Sequence, residues 1–223
     1  MTTSTDEQVV LVDERGHPLG TAPKATVHGP DTPLHLGFSC YVFDDDSHVL
    51  LSRRALTKRT FPGVWTNSFC GHPAPGEPLA YAVSRRARDE LGLEVGADAV
   101  RLVLPGFRYR AEMEGVVELE LCPVVAVRVL RPLLSPDPSE VDDWVWEPWR
   151  EVVVGVSAGR ELSTWCRLQV AELAALGDPT DWPDAPAHLL PPTLLPPHTA
   201  PTDGGGPTNV GQPLDPVAAR DGQ

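Results

Sequence analysis

Cys70-Gly71-His72 sets a thiol two residues from an imidazole, within the stretch Thr66-Asn67-Ser68-Phe69-Cys70-Gly71-His72. Three chemistries suit such a pair: a fragment of a zinc site, an activated thiol, or a buried thiol beside an unrelated histidine. No Cys-x-x-Cys pair accompanies it. Two further imidazoles, His28 and His35, are seven residues apart around a tight turn. Downstream, Val116–Val127 reads VVELELCPVVAV. Side chains alternate along a strand, so Glu118 and Glu120 share one face while Val117, Leu119 and Leu121 point to the other, towards a core. Two neighbouring carboxylates repel unless a cation lies between them. The plain alternative is a wet face of an edge strand. Three imidazoles and two carboxylates together would make a five-ligand site for a borderline divalent metal such as Zn²⁺ or Mn²⁺.

A second cluster lies in Gly71–Leu93, GHPAPGEPLAYAVSRRARDELGL. Its skeleton is Gly71, Glu77, Arg85, Asp89-Glu90 and Gly92-Leu93. Arg86 and Glu90 are four apart and share a helix face. A carboxylate there could hold Mg²⁺ against a phosphate; the bland reading is a solvated helix with ion pairs. The skeleton resembles a Nudix box. A Nudix hydrolase carries a glutamate after the box arginine, whereas this chain has Arg86 there. The full carboxylate cluster for pyrophosphate hydrolysis is therefore missing, which points to binding a diphosphate without cleaving it. Arg53-Arg54-Ala55-Leu56-Thr57-Lys58-Arg59 adds four cations in seven residues. Such runs are usually solvated surface, but beside a metal-binding helix they could clamp phosphate.

These groups need elements to hold them. Val9–Asp13 reads as a first strand, followed by a turn at Arg15-Gly16-His17-Pro18. Leu34–Phe43 and Val49–Ser52 read as a hairpin, and Val64–Phe69 as a short strand. Pro78–Leu91 is the clearest helix, with Leu79, Ala82, Val83, Ala87 and Leu91 at 3.6-residue spacing. Pro78 suits its start and Gly92 its stop. Ala99–Leu104, Phe107–Ala111 and one long strand, Val116–Val129, follow. A second helix is expected over Leu162–Ala175, with Ser163 as its cap. Strands bracketing two helices predict an α/β (α+β) fold, a mixed sheet sandwiched between helices.

The chain has 223 residues and a net charge of −13, enough for one ordinary domain. From Gly177 onward, 11 of the 25 prolines and six aspartates accompany one arginine. That composition predicts a folded domain over residues 1–176 and a disordered Pro-rich tail over 177–223. An acidic body argues against nucleic-acid binding. No apolar run long enough for a membrane span occurs, and the N-terminus lacks the form of a signal peptide. Cys40, Cys70, Cys122 and Cys166 are scattered, so a reduced, cytoplasmic chain is expected.

Taken in order, these pieces resemble the type 1 isopentenyl-diphosphate isomerases, a branch of the Nudix superfamily. The carriers are Leu34-His35-Leu36, Arg53-Arg54-Ala55, Pro62-Gly63-Val64-Trp65-Thr66-Asn67-Ser68, Cys70-Gly71-His72-Pro73, Phe107-Arg108-Tyr109-Arg110-Ala111 and Glu118-x-Glu120-x-Cys122-Pro123-Val124. They span about Val9 to Ala171, and Arg86 belongs to the family's degenerate box. The resemblance implies a Nudix-like fold and interconversion of isopentenyl and dimethylallyl diphosphate, with a nucleoside-diphosphate hydrolase as the alternative. It implies one Mn²⁺ or Zn²⁺ held by His28, His35, His72, Glu118 and Glu120. It also implies a diphosphate-bound Mg²⁺ between Glu90 and the Cys70 carbonyl. Lys24, Arg54, Lys58 and Arg86 match the diphosphate cations. Cys70 and Glu120 match the catalytic pair, and Tyr109 and Trp165 match the hydrocarbon end. The expected partner is a small isoprenyl diphosphate, taken up by a monomer or weak homodimer. A free thiol has a pKa of about 8.5, and a nearby cation is expected to tune it.

Overall fold

The computed structural model describes residues 7–195. Two mixed sheets form the frame. The first runs in the order β2 (Pro18–Pro23), β1 (Gln8–Val12), β3 (His35–Leu36), β10 (Val116–Leu121), β9 (Arg108–Met113). The second runs in the order β12 (Val141–Pro148), β5 (His48–Arg54), β4 (Phe38–Phe43), β11 (Val124–Arg128), β8 (Arg101–Leu104). Two short strands join it: β6 (Trp65–Thr66) pairs with β5, and β7 (Phe69–Gly71) pairs with β4.

The second sheet is covered on both faces, which explains its apolar runs. Every residue of β4 is buried. Alternate side chains go opposite ways: Phe38, Cys40 and Val42 pack with α2 (Leu79–Leu91), while Tyr41 and Phe43 face the other core. That second core holds residues of α3 (Trp149–Ser157) and α4 (Thr164–Ala174), among them Trp149, Val152, Trp165 and Val170. Each such side chain withdrawn from water is worth about 1.5–3 kcal/mol.

The expected helices are present. Pro78 is the N-cap of α2 rather than its first residue, and Gly92 ends the helix at φ 63°. The Leu93 N–H donates to the Ala87 carbonyl at 3.1 Å, which closes the last turn over the left-handed glycine. In α4 the Ser163 hydroxyl accepts from the Cys166 N–H at 3.2 Å. The strand β2, the turn α1 (Lys24–Val27), β12 and α3 extend the expected set.

Four expectations change. Leu34–Phe43 holds two strands, β3 and β4, in different sheets on either side of Gly37, and Val64–Phe69 holds β6 and the start of β7, which pair with β5 and β4. The single strand over Val116–Val129 is two strands in different sheets, β10 and β11, separated by Cys122-Pro123. Proline has no N–H for the ladder. The Cys122 N–H turns to the Phe107 carbonyl at 2.8 Å, and the Pro123 carbonyl accepts from Ser39 N–H at 3.0 Å. The tail boundary at residue 177 also moves. Trp182 is buried and meets Phe43 and Trp149 edge-on at 5.3 and 5.4 Å. Thr193 Oγ1 donates to the Gly16 carbonyl at 2.6 Å, and Leu194 is buried. Prolines stiffen the unfolded chain, so a few apolar anchors suffice to fix such a segment. The expected tail from 196 onward lies outside the described residues.

Candidate active site

Two parallel pairs of strands carry the centre of the site. β3 pairs with β10, placing Glu120 opposite His35; β4 pairs with β11, placing Val124 opposite Ser39. Both rails cross from one sheet to the other, one at Gly37 and the other at Cys122-Pro123. At Gly37 a Cβ would lie 2.2 Å from Glu120 Oε2. Only glycine lets that carboxylate lie against the backbone. β7 then brings Cys70 opposite Ser39, and β9 brings Tyr109 opposite Glu120.

The three histidine rings converge, with centroids 5.1, 5.2 and 5.9 Å apart. Ligand atoms of His28, His35, His72 and Glu120 all lie within 4.8 Å of one another. His35 Nδ1 is 2.9 Å from the Pro33 carbonyl, so that nitrogen donates and Nε2 keeps its lone pair. His28 Nε2, His35 Nε2 and His72 Nδ1 are buried without a hydrogen-bond partner. Buried polar atoms are normally satisfied. Several imidazole nitrogens beside a carboxylate fit a divalent cation. Burial, reinforced by the other two imidazoles, lowers His28 to about 3, so it is neutral as a ligand must be. Burial would raise the Glu120 carboxyl, but the neighbouring His35 and His72 imidazoles hold it well below its usual range.

Glu118 stands beside this group rather than in it. Its Oε2 accepts from Tyr109 OH at 3.0 Å, and burial, followed by repulsion from Glu120, raises its pKa. Both carboxylates are buried, so the face they share is not a wet one.

The Cys70 thiol donates to Asn67 Oδ1 at 3.3 Å, and Ser39 Oγ lies 3.3 Å away on another side. Burial pushes it up to about 12, outweighing Ser39, Asn67 and the distant help of Arg54. The sulfur is therefore a thiol, and burial rather than the expected nearby cation sets its pKa. Asn67 is itself fixed: Trp165 Nε1 and Thr66 Oγ1 donate to its oxygen at 3.0 and 2.8 Å. Its amide donates to the Cys40 and Phe69 carbonyls.

A cavity of about 430 Å³ opens onto Cys70, Glu118, Glu120, Tyr109 and Trp165, and also onto Lys24, Arg54, Lys58, Arg86 and Glu90. Trp165 and Tyr109 form an aromatic wall, with ring centroids 5.4 Å apart. The Arg54 guanidinium lies 5.7 Å from the Trp165 ring centre. Lys24 pairs with Glu7 at 2.7 Å, and Lys58 with Glu140. Arg86 Nε donates to Glu90 Oε1 at 2.8 Å. Neighbouring Arg85 turns away to bind both oxygens of Glu77, at 2.9 and 2.8 Å.

The chain matches the NUDIX domain family over residues 33–180. It is 54% identical over 176 residues to a Mycolicibacterium vanbaalenii protein, the isopentenyl-diphosphate Delta-isomerase, covering 78% of this chain and 96% of that one. A Rhizobium rhizogenes isopentenyl-diphosphate Delta-isomerase is 50% identical over 188 residues, covering 83% and 89%. The chain belongs to the isopentenyl-diphosphate Delta-isomerase family of NUDIX domain proteins. The fold agrees. A Deinococcus radiodurans crystal structure aligns with a TM-score of 0.57 at 19% identity, covering 74% of this chain and 98% of that one. A MutT protein from Methanosarcina mazei aligns at 0.52 and 17%, covering 64% and 94%.

Within this family frame, four cavity or supporting residues escaped the sequence reading. Asn67 sits in the quoted motif but had no task. Ser39 and Gln169 lie behind Cys70: Gln169 Nε2 donates to Ser39 Oγ at 2.9 Å, and Tyr41 OH donates to Gln169 Oε1 at 3.0 Å. The available signal was a glutamine at a core-facing position of α4, among Trp165, Cys166, Val170 and Leu173. Glu140 carried no signal beyond an acidic stretch. Among the described residues, no helix is long and apolar enough to cross a membrane.

Proposed function

We propose that this chain interconverts isopentenyl diphosphate and dimethylallyl diphosphate, with Cys70 and Glu120 as its proton-handling pair. Its family membership supports the reaction. The observation that carries the residue roles is that Cys70 and Glu120 line one cavity whose other lining is aromatic and cationic.

The reaction adds a proton to the terminal methylene carbon and removes one from the carbon nearer the diphosphate. One of the pair gives the first proton and the other takes the second. The charge that develops between these steps is tertiary and short-lived. The faces of Trp165 and Tyr109 stabilise it without offering a nucleophile. Burial of both rings in the cavity wall keeps water from capturing it. Asn67 and Ser39 hold the sulfur in place from two sides. Tyr109 donates its hydroxyl proton to Glu118 and so keeps that carboxylate oriented.

His28, His35, His72 and Glu120, with Glu118 adjacent, are assigned to hold one Mn²⁺ or Zn²⁺, and Glu90 with the Cys70 carbonyl to hold Mg²⁺. Such cations, when bound, draw electron density from the Glu120 carboxyl and neutralise diphosphate charge. Lys24, Arg54, Lys58 and Arg86 are assigned to the diphosphate oxygens. Arg86 occupies the place of a hydrolase glutamate, and it is gripped by Glu90. This disfavours hydrolysis of a nucleoside diphosphate derivative. The reaction is placed in the cytoplasm, since a working thiol suits a reducing compartment. A monomer or weak homodimer suffices, because one chain lines the cavity.

The test is an assay with isopentenyl diphosphate in deuterium oxide, followed by NMR. Deuterium should enter the new methyl group and, through the reverse reaction, the second carbon from the diphosphate oxygen, leaving the oxygen-bearing carbon unlabelled, and chelation should stop it. Phosphate release without allylic product would overturn the reading.

A further inference from the structure

We propose that Glu140 is a positioning residue for the diphosphate end, fixing Lys58 and Arg86 relative to each other through one bridging carboxylate. This rests on the isomerase reading above, which assigns those two cations to the diphosphate but gives Glu140 no part.

Glu140 immediately precedes β12. One carboxylate oxygen, Oε2, is bonded to Lys58 Nζ; the other, Oε1, lies 3.3 Å from Arg86 Nη2. The two cations come from different elements. Lys58 sits in the connection after β5, and Arg86 is in α2. Without an anion between them, two like charges facing one cavity repel. Lysine is also a flexible point charge whose head must be ordered before it can grip a phosphate.

The backbone around Glu140 is tied to both elements. Its carbonyl accepts from Ala55 N–H at 3.0 Å, and Lys58 N–H in turn donates to the Ala55 carbonyl at 3.1 Å. On the other side, Asp137 N–H donates to the Glu90 carbonyl and Ser135 N–H to the Leu91 carbonyl, each at 3.0 Å. Residues 135–140 thus seal the C-terminal end of α2. The turn itself is pinned by Asp137, whose carbonyl accepts from Glu140 N–H at 2.9 Å and whose Oδ1 accepts from Ser139. A carboxylate anchored this firmly holds its partners in place instead of following them.

Magnesium-dependent binding of inorganic pyrophosphate, read by calorimetry, tests the role without turnover. It stays readable even if the wild-type chain fails to isomerise, an outcome that would sink the function but not this comparison. Glu140→Gln keeps the shape and removes the charge. It should weaken pyrophosphate roughly five- to tenfold, with an unchanged melting temperature. In turnover, KM should rise and kcat should stay near wild type. Glu140→Asp should recover part of the affinity. In a Lys58→Met background the loss from Glu140→Gln should shrink to less than about twofold. Unchanged or tighter pyrophosphate binding in Glu140→Gln would overturn the proposal, because Glu140 would then be idle or a competitor for the cations. A full, additive loss in the Lys58→Met background would overturn it too. So would equal losses in Gln and Asp variants with a lowered melting temperature, which mark a scaffold role.

Discussion

The two ends of the cavity are built by opposite means. At the proton-handling end the groups sit on strands: His35 on β3, Cys70 on β7, Tyr109 on β9 and Glu120 on β10. Of these, His35, Tyr109 and Glu120 are deeply buried, and ladder register sets which strand positions are neighbours. At the diphosphate end Lys24 comes from α1, Arg54 from the last position of β5, Lys58 from the loop that follows and Arg86 from α2. Lys24 and Lys58 keep 30% and 21% of their side-chain surface exposed, and these two and Arg86 lean on carboxylates, whereas Arg54 donates to loop carbonyls. Proton transfer needs atoms held to a fraction of an ångström, which strands provide. A charged ligand that must enter and leave is better met by exposed side chains with replaceable partners. The first end is fixed by backbone, the second by charge balance.

That contrast can be broken in four ways. The largest effect should come from Cys70→Ala. Turnover should fall by roughly 10³- to 10⁴-fold, while metal content by mass spectrometry stays at the wild-type level. Loss of metal would mean the sulfur is part of the metal site, and the two functions of the buried end would merge. His35→Ala should do the reverse. Its Nε2 is an orphan among the clustered ligand atoms, so metal affinity should drop by about 10²-fold or more. Activity should then return on adding excess metal; retained affinity would remove His35 from the ligand set.

At the other end, changes should act on binding. Arg54 donates to the Thr60 and Phe61 carbonyls at 2.8 and 3.2 Å and lies over Trp165. A lysine cannot make that fork. Arg54→Lys should raise KM by about tenfold with a smaller change in kcat. A pure kcat loss would move Arg54 to the proton-handling end.

The smallest effect concerns acid stability away from both ends. Burial would raise the Asp44 carboxyl, but donation from the His48 N–H and from Arg131 outweighs it, so its pKa is lowered. The folded chain therefore binds its proton less readily than the unfolded chain does. This stabilisation is present above the unfolded value of about 4 and fades as pH falls through the lower folded value. Asp44→Asn should flatten that part of the acid slope by about 1 kcal/mol or less, read from urea midpoints between pH 3 and 6. An unchanged slope would assign acid sensitivity to the cavity carboxylates instead.

Legibility in the sequence followed the range of the interaction. The helix α2 could be read because its apolar spacing, its proline start and its glycine stop all lie within 15 residues of chain. Ser163 could be read as a cap for the same reason. The alternation in Val116–Val129 was equally clear and still misled. Period-two spacing runs through Cys122-Pro123 unbroken, while the change of sheet depends on β3 and β4, some 85 residues earlier in the chain. The pair Glu118 and Glu120 looked equivalent. The register of β10 on β3 sets Glu120 against His35, and the Tyr109 hydroxyl reaches diagonally to Glu118. Trp182 and Leu194 were lost in a proline-rich composition that hides individual anchors.

By itself the amino-acid sequence determined the inventory: three imidazoles, a lone thiol in its motif, paired glutamates, a basic run, and the helix that presents Arg86 and Glu90. Those choices are local, and short-range sterics and periodicity suffice to read them. The tertiary structure decided the partnerships. It put Gly37 under Glu120, Asn67 and Ser39 around the Cys70 sulfur, and Glu140 between Lys58 and Arg86. Contacts in the site join residues as far as 130 positions apart, as Ser39 and Gln169 are. Their geometry follows from sheet register and core packing, which no single stretch of chain encodes.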